Sequence, residues 1–213
     1  KPSFDKIAAD VNPAIPAPIT ATSLFSIKMN KLSNKELSEI SNRLGKSKII
    51  KVQKVFGGCI NHSWRIDFTD SRIFIKKNER NEKLLKFEQY CLNDIRKFNN
   101  AQSIIIPEVI DYFEYEHNEF LLLEWLDLKN SNQKKLGLGI AEIHLNSNKR
   151  NPNKFGYPIP GFIGTTEQLA GWENNWADCF IKLRIEPQIA LLKDFPINID
   201  LIDGIKSKIK IHL

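Results

Sequence analysis

From residue 33 onward the spacing of apolar positions changes several times, and each change marks an element. Ser33-Asn34-Lys35-Glu36 fits a capping box, with Ser33 as N-cap and Glu36 three residues on. Leu37, Ile40 and Leu44 then form a helical stripe that stops at Gly45. Residues 49–56 read as a strand, which Gly57-Gly58 breaks. Trp64, Ile66 and Phe68 alternate with Arg65 and Asp67, predicting a second strand with one apolar face. Thr69-Asp70-Ser71 is a turn, and residues 73–77 are a third strand. Leu84, Leu85, Glu88, Cys91, Leu92 and Ile95 share helical spacing within 79–98. Past Pro107, residues 109–115 and 120–126 flank Glu116-His117-Asn118-Glu119, a predicted hairpin. Residues 133–146 predict a helix with Leu136, Ile140 and Ile143 on one side. Residues 147–171, rich in Asn, Pro and Gly, read as a long loop, a kind often functional. Trp172, Trp176, Phe180 and Leu183 predict a helix over 172–192 with the aromatics in its core and a bend at Pro187. A last amphipathic helix is expected over 200–211, and no internal repeat is visible.

Three strands, a helix and two more strands make a twisted sheet with one helix on a face. Such a sheet exposes an apolar face and needs a second lobe. The expected class is α+β and protein-kinase-like: a small lobe built on a five-stranded antiparallel sheet, plus an incomplete helical large lobe. Residues 29–126 form the expected small, nucleotide-binding lobe, and 127–213 a partial helical lobe. Residues 1–28 begin with Lys1, precede the single methionine Met29 and contain Pro13, Pro16 and Pro18, which block helix and central-strand pairing. They read as an accessory or out-of-frame extension, the alternative being a short ordered arm packed on the domain.

The order of polar residues within this frame is more specific than any one of them. The turn Gly57-Gly58-Cys59-Ile60-Asn61 precedes Lys76 on the third strand. Glu88 lies in the following helix, and Glu124-Trp125-Leu126-Asp127 ends the last apolar strand. A phosphate-covering turn, a phosphate-pairing lysine, its helical glutamate partner and an adenine-binding hinge follow this order in protein-kinase-like folds. The glycines would let backbone N–H groups and Asn61 approach phosphates, although a Gly-Gly turn alone is commonly a plain hairpin and the GxGxxG spacing is missing. Lys76 alone equally describes a solvated strand lysine beside Lys77, Glu88 a surface helix residue, and Glu124 to Asp127 a strand end with a half-covered Trp. Cys59 sits where a mobile turn and nearby lysines favour a thiolate, which raises a redox-linked dimer through Cys59; an inert small residue is the alternative.

Composition adds bounds. A net charge of +6 at pH 7 favours anionic partners, but the basic residues are dispersed, with no stripe of interleaved aromatics, so no nucleic-acid partner is expected. No apolar run approaches the roughly 20 residues that span a bilayer, so no membrane partner is expected. The three cysteines Cys59, Cys91 and Cys179 have no CxxC spacing, which argues against a disulfide framework or zinc site and for a cytoplasmic setting.

The chain resembles the fructosamine (ketosamine) kinases, relatives of the aminoglycoside phosphotransferases. The matching residues are Gly57-Gly58-Cys59-Ile60-Asn61, Phe74-Ile75-Lys76-Lys77-Asn78, Glu88 with Leu92, and a second-lobe segment that general kinases lack. That segment holds Phe155-Gly156, Ile163-Gly164-Thr165-Thr166, Gln168, Trp172, Trp176, Phe180 and residues 184–188. Ala170 stands where the family usually has Asn, which removes one polar contact of that loop. The resemblance implies ATP-dependent phosphorylation of a ketoamine on a lysine or small amine, whose unstable product decomposes and reverses glycation. It implies ATP and Mg²⁺ as cofactors, with Lys76 and Mg²⁺ offsetting phosphate charge. The family's His-Gly-Asp catalytic loop and its metal-binding Asp have no counterpart before Leu213. The expectation is therefore a fragment without a catalytic carboxylate or metal ligands, silent as an enzyme by itself. A different small-molecule kinase of this fold and a non-catalytic nucleotide-binding module are the alternatives.

Overall fold

The computed structural model describes residues 31–46, 48–56, 60–79, 83–100, 104–127, 132–150, 152–192, 194–196 and 198–213. The chain divides into two compact units, Lys1–Glu39 and Ile40–Leu213, the division falling inside the first helix. In the first unit the capping box forms as expected. Ser33 N–H donates to Glu36 Oε2 at 2.7 Å, and Glu36 N–H donates to Ser33 Oγ at 3.2 Å. Helix α1 (Asn34–Arg43) starts there and ends before Gly45, whose φ of 62° suits a helix C-terminus.

The larger unit is built on strands β1 (Ile49–Val55), β2 (His62–Phe68), β3 (Arg72–Asn78), β4 (Val109–Tyr115) and β5 (Asn118–Glu124). They form one antiparallel sheet in the order β1-β2-β3-β5-β4, with helix α2 (Leu84–Arg96) joining β3 to β4. This is the expected protein-kinase-like arrangement. Period-two alternation separates two apolar faces. On one, Trp64, Ile66, Phe68, Ile73, Ile75, Phe120 and Leu122 are buried, and Phe113 stacks on Phe120 with ring centroids 5.0 Å apart. On the other, Leu121 and Leu123 pack with Leu85 of α2, flanked by Phe74, Leu92, Val109 and Tyr112. Each such fully buried aliphatic side chain contributes about 1.5–3 kcal/mol relative to exposure, so α2 is held chiefly by apolar contact.

The β4–β5 turn differs from the expectation. Glu116 and His117 alone make it, with φ of 47° and 65°, and Tyr115 pairs directly with Asn118. Two successive left-handed residues match the twist of a two-residue hairpin. Strand β5 therefore starts two residues earlier than read from the sequence, takes in Glu119, and stops at Glu124, leaving Trp125, Leu126 and Asp127 beyond the sheet.

The second part also departs from its pattern. Helix α3 (Gln133–Arg150) runs four residues further than expected, and of its predicted stripe Ile143 is buried while Leu136 and Ile140 are exposed. The expected long loop is instead two small ribbons. Strands β6 (Phe155–Tyr157) and β9 (Gly171–Glu173) pair around the inner pair β7 (Gly161–Ile163) and β8 (Thr166–Gln168). Three-residue strands are too short to show periodicity; left-handed Gly164 turns β7 into β8, and Gly156 and Gly171 take positive φ within β6 and β9. Trp172 consequently lies in β9 rather than in the helix, and Trp172 and Trp176 are 42% and 43% exposed, not core. Helix α4 (Trp176–Phe180) starts instead at Asn175, whose side chain accepts the Asp178 N–H at 2.8 Å.

A π turn over Ile181–Ile185 leads from α4 into α5 (Glu186–Ala190), with Glu186 N–H donating to Ile181 O. Pro187 has no N–H to offer the carbonyl of Leu183. Arg184 Nη1 supplies one instead at 2.8 Å and also donates to Leu169 O at 3.1 Å. Where the sequence predicts a bend, the helix carries a π turn, and one guanidinium serves the Leu183 carbonyl. Helix α6 (Ile199–His212) closes the chain, capped by Asn198. Among the described residues no helix is long and apolar enough to cross a membrane.

Candidate functional site

Strand register brings the lysine and the glutamate together. Lys76 lies opposite Ser63 on β2 and Leu121 on β5, which places it on the face that α2 covers. Glu88 falls one turn into α2. Lys76 Nζ donates to Glu88 Oε1 at 2.6 Å, and the two side chains remain 25% and 30% exposed. An ion pair this accessible stabilises the fold by at most about 1 kcal/mol. What it does is fix a partly exposed ammonium group where β3 meets α2.

Two residues earlier on β3 and on the same face, Phe74 meets Trp125, with ring centroids 6.4 Å apart. The Arg65 guanidinium lies 4.9 Å from the Trp125 ring centroid, while Trp125 Nε1 donates to Asp127 Oδ1 at 2.8 Å. Arg65 is itself aimed by a two-bond contact to Asp67, at 2.6 and 2.8 Å. That hydrogen bond holds the Asp67 carboxyl below, and the Arg65 guanidinium above, their ordinary ranges. Glu124 closes the strand end by accepting the Glu108 N–H at 2.9 Å. Leu126 is half-buried beside them. The residues 124–127 are therefore a fixed corner tied to β2, β3 and the start of β4.

Of the predicted turn, Gly57, Gly58 and Cys59 lie outside the described residues. Ile60 is exposed, and Asn61 Oδ1 is buried without a hydrogen-bond partner among the described residues. The tip of the β7–β8 ribbon reaches this 60–61 segment, since a Cβ on Gly164 would come 3.9 Å from Ile60 Cδ1. Lys76, Glu88 and Trp125 thus gather on one sheet face, with the 60–61 segment at its rim. Among the described residues no group of three or more His, Cys, Asp or Glu side chains is placed to hold a metal ion.

The sequence reading missed the residues that hold α2. Glu119, assigned to a turn, is a buried strand residue whose carboxylate accepts from Asn78, Tyr112 and the first turn of α2. A charged position at the start of the apolar run Phe120 to Leu123 was the available signal. Phe87 of α2 lies edge-on to Tyr157 and Phe162, at 6.1 and 6.2 Å, directly over Gly161. The ribbon segment is thereby locked to the glutamate-bearing helix, a packing that no period in the sequence announces.

The sequence profile of the fructosamine kinase family matches residues 32–213. A Vibrio cholerae protein named "Probable ketoamine kinase" is 28% identical over 182 residues, covering 83% of this chain and 62% of its own length. The chloroplastic protein-ribulosamine 3-kinase of Arabidopsis thaliana is 27% identical, covering 70% of this chain and 45% of its own. The chain therefore spans about half to three-fifths of these relatives. The crystal structure of a protein from Haemophilus somnus 129PT, described as "Putative fructosamine-3-kinase", superposes with a TM-score of 0.66 at 28% identity, covering 82% of this chain and 60% of that one. The ion-paired lysine, the corner at 124–127 and the ribbon locked to α2 all fall within the matched span, and over residues 32–213 the chain belongs to the fructosamine kinase family.

Proposed function

We propose that this chain forms the nucleotide-holding part of an ATP-dependent kinase acting on ketoamine adducts, of the fructosamine or ribulosamine type, on lysine or a small amine. Residues 29–126 serve as the nucleotide lobe and 127–213 contribute to the second lobe. The observation that carries this reading is the 2.6 Å Lys76–Glu88 pair, set between β3 and α2 of a chain in this family. Family membership and the names of the relatives support the substrate class.

In this proposal Lys76 binds the phosphates of ATP and Glu88 keeps its stem extended across the face. Backbone groups of Glu124, Trp125, Leu126 and Asp127 pair with the adenine edge. The glycines and Asn61 of the 57–61 segment are assigned to the phosphate side; of these, Asn61 has an Oδ1 without a partner among the described residues. Mg²⁺ would offset phosphate charge in such a site; none of the described residues is assigned to hold it. Transfer needs a group that orients the sugar hydroxyl and takes its proton, a role given to none of these residues. Decomposition of the phosphorylated product would reverse glycation, and the scattered cysteines support a cytoplasmic setting.

Calorimetric titration of MgATP into the chain and its Lys76→Ala variant tests the nucleotide role. Loss of a hydrogen bond to a charged group costs about 1.5–3 kcal/mol, so the variant should bind roughly ten- to a hundredfold more weakly. Equal affinities would remove Lys76 from the site. A phosphorylation assay on a glycated lysine derivative, using the full family-length protein, tests the substrate class.

A further inference from the structure

We propose that Glu119 is a positioning residue that sets the helical glutamate against the phosphate-pairing lysine. The inference rests on the nucleotide reading above.

Helix α2 begins without a side-chain cap of its own: Lys83 stands at its N-cap in the left-handed region and makes no capping bond. The first N–H groups of a helix have no internal partner. Two of them reach across to β5, where Glu119 Oε1 accepts from Lys86 N–H at 3.2 Å and Oε2 lies 3.4 Å from Leu85 N. The same oxygens accept from Tyr112 Oη of β4 at 2.9 Å and from Asn78 Nδ2 of β3 at 2.8 Å. Glu119 is only 3% exposed, and Asn78 only 1%. A buried carboxylate would be costly if unpaired. Here four donors from three elements surround it, and the positive end of the helix dipole favours its charge.

Its place in the register gives this anchor a function beyond stability. Asn78 pairs with Glu119 exactly one strand step, two residues, from the pairing of Lys76 with Leu121. Along α2, Lys86 lies two residues before Glu88. The anchor, on β5 and joined to β3 through Asn78, and the Lys76–Glu88 pair therefore tie neighbouring strands to the same helix, about 7 Å apart along β3. Fixing the first turn of α2 to the Asn78 end of β3 sets both the height and the rotation at which Glu88 meets Lys76. Burial and the acceptor bond to Glu119 push the Tyr112 phenol well above its ordinary range, so it remains a donor at neutral pH.

The test is a double-mutant cycle on MgATP affinity with Glu119→Gln, Glu88→Gln and the double variant. Glutamine keeps the size but loses the charge and turns one acceptor into a donor. Glu119→Gln should weaken ATP binding by about two- to thirtyfold, and should add nothing in the Glu88→Gln background. A merely structural role would give multiplied effects, which would overturn the proposal, as would wild-type affinity in Glu119→Gln. Amide hydrogen exchange should show faster exchange at Leu85 and Lys86 with Ile75 and Leu122 still protected. If Glu119→Gln fails to fold, the same cycle with Tyr112→Phe decides, with the same loss confined to the Glu88-containing background expected. Lys76→Ala separates the two readings. Wild-type affinity in Lys76→Ala refutes the nucleotide site itself, whereas a weakened Lys76→Ala beside a neutral Glu119→Gln refutes only the positioning role.

Discussion

Gly161 offers the sharpest packing test of how α2 is held. A methyl group there would stand 2.1 Å from Phe87 Cζ, 2.5 Å from Cε2 and 2.7 Å from Cε1. None of these separations is tolerable, so in Gly161→Ala the Phe87 ring must swing away. Its edge-on contacts with Tyr157 and Phe162 would then break, and each such pair is worth about 0.5–1.5 kcal/mol. Overpacking of a core site costs about 1–3 kcal/mol by itself when neighbours shift. The ring is the far end of a side chain rather than backbone, which keeps the sum near that range. At roughly 2–4 °C per kcal/mol for a chain of this size, thermal unfolding of Gly161→Ala should fall by about 2–12 °C. Phe87→Leu shortens the intruded side chain, so adding Gly161→Ala to it should cost little more than Phe87→Leu alone. Because Phe87 adjoins Glu88, Gly161→Ala should also weaken ATP binding. A melting temperature within about 1 °C of wild type, or an alanine penalty undiminished by Phe87→Leu, would show that the ribbon does not brace α2.

Two further outcomes follow from the ionisable groups. The Asp67 carboxyl, lowered first by its hydrogen bond from Arg65 and then by the charges of Arg65, Arg72 and Lys51, should titrate below the ordinary aspartate value of about 3.9. The stability it contributes is therefore complete above that value and lost as pH falls through the lowered one; a carboxyl carbon titration by NMR with a midpoint at or above 3.9 would contradict this. Burial raises the thiols of Cys91 and Cys179, leaving little thiolate near neutral pH. Mild oxidation should then link chains through Cys59, giving a dimer on non-reducing gels that Cys59→Ser abolishes; persistence of the dimer in that variant would assign it elsewhere.

Much of the sheet was legible because its signals are local. Trp64, Ile66 and Phe68 alternate on β2 and are all buried, and Ser33 and Glu36 close the capping box their spacing announces. Lys76 and Glu88 could be paired in advance because a lysine strand followed in sequence by a glutamate-bearing helix is the order of protein-kinase-like folds. Glu119 could not be, since Asn78 and Lys86 are 41 and 33 residues away and a charged residue beside His117 and Asn118 has the composition of a turn. The ribbons at 155–173 were hidden for another reason. Three-residue strands carry no period, and Trp172 and Trp176 stand four apart, which mimics a helix although a strand end and a cap separate them. Gly161 shows its purpose only once Phe87 is in place.

The Arg184 bridge makes the bend at Pro187 a shared inheritance of two positions. An ancestor that first acquired the arginine would gain a bond to Leu169 O and could later accept proline, with a donor already standing at the Leu183 carbonyl. An ancestor that acquired proline first would pass through a form about 1–3 kcal/mol weaker, its carbonyl deprived of an amide and not yet served by a guanidinium. Lysine is no stepping stone, because a single ammonium is a poorer match than a planar fork for two carbonyls on different segments. The dependence is therefore one-sided: Arg184 stands without Pro187, whereas Pro187 without Arg184 leaves the Leu183 carbonyl short of a donor.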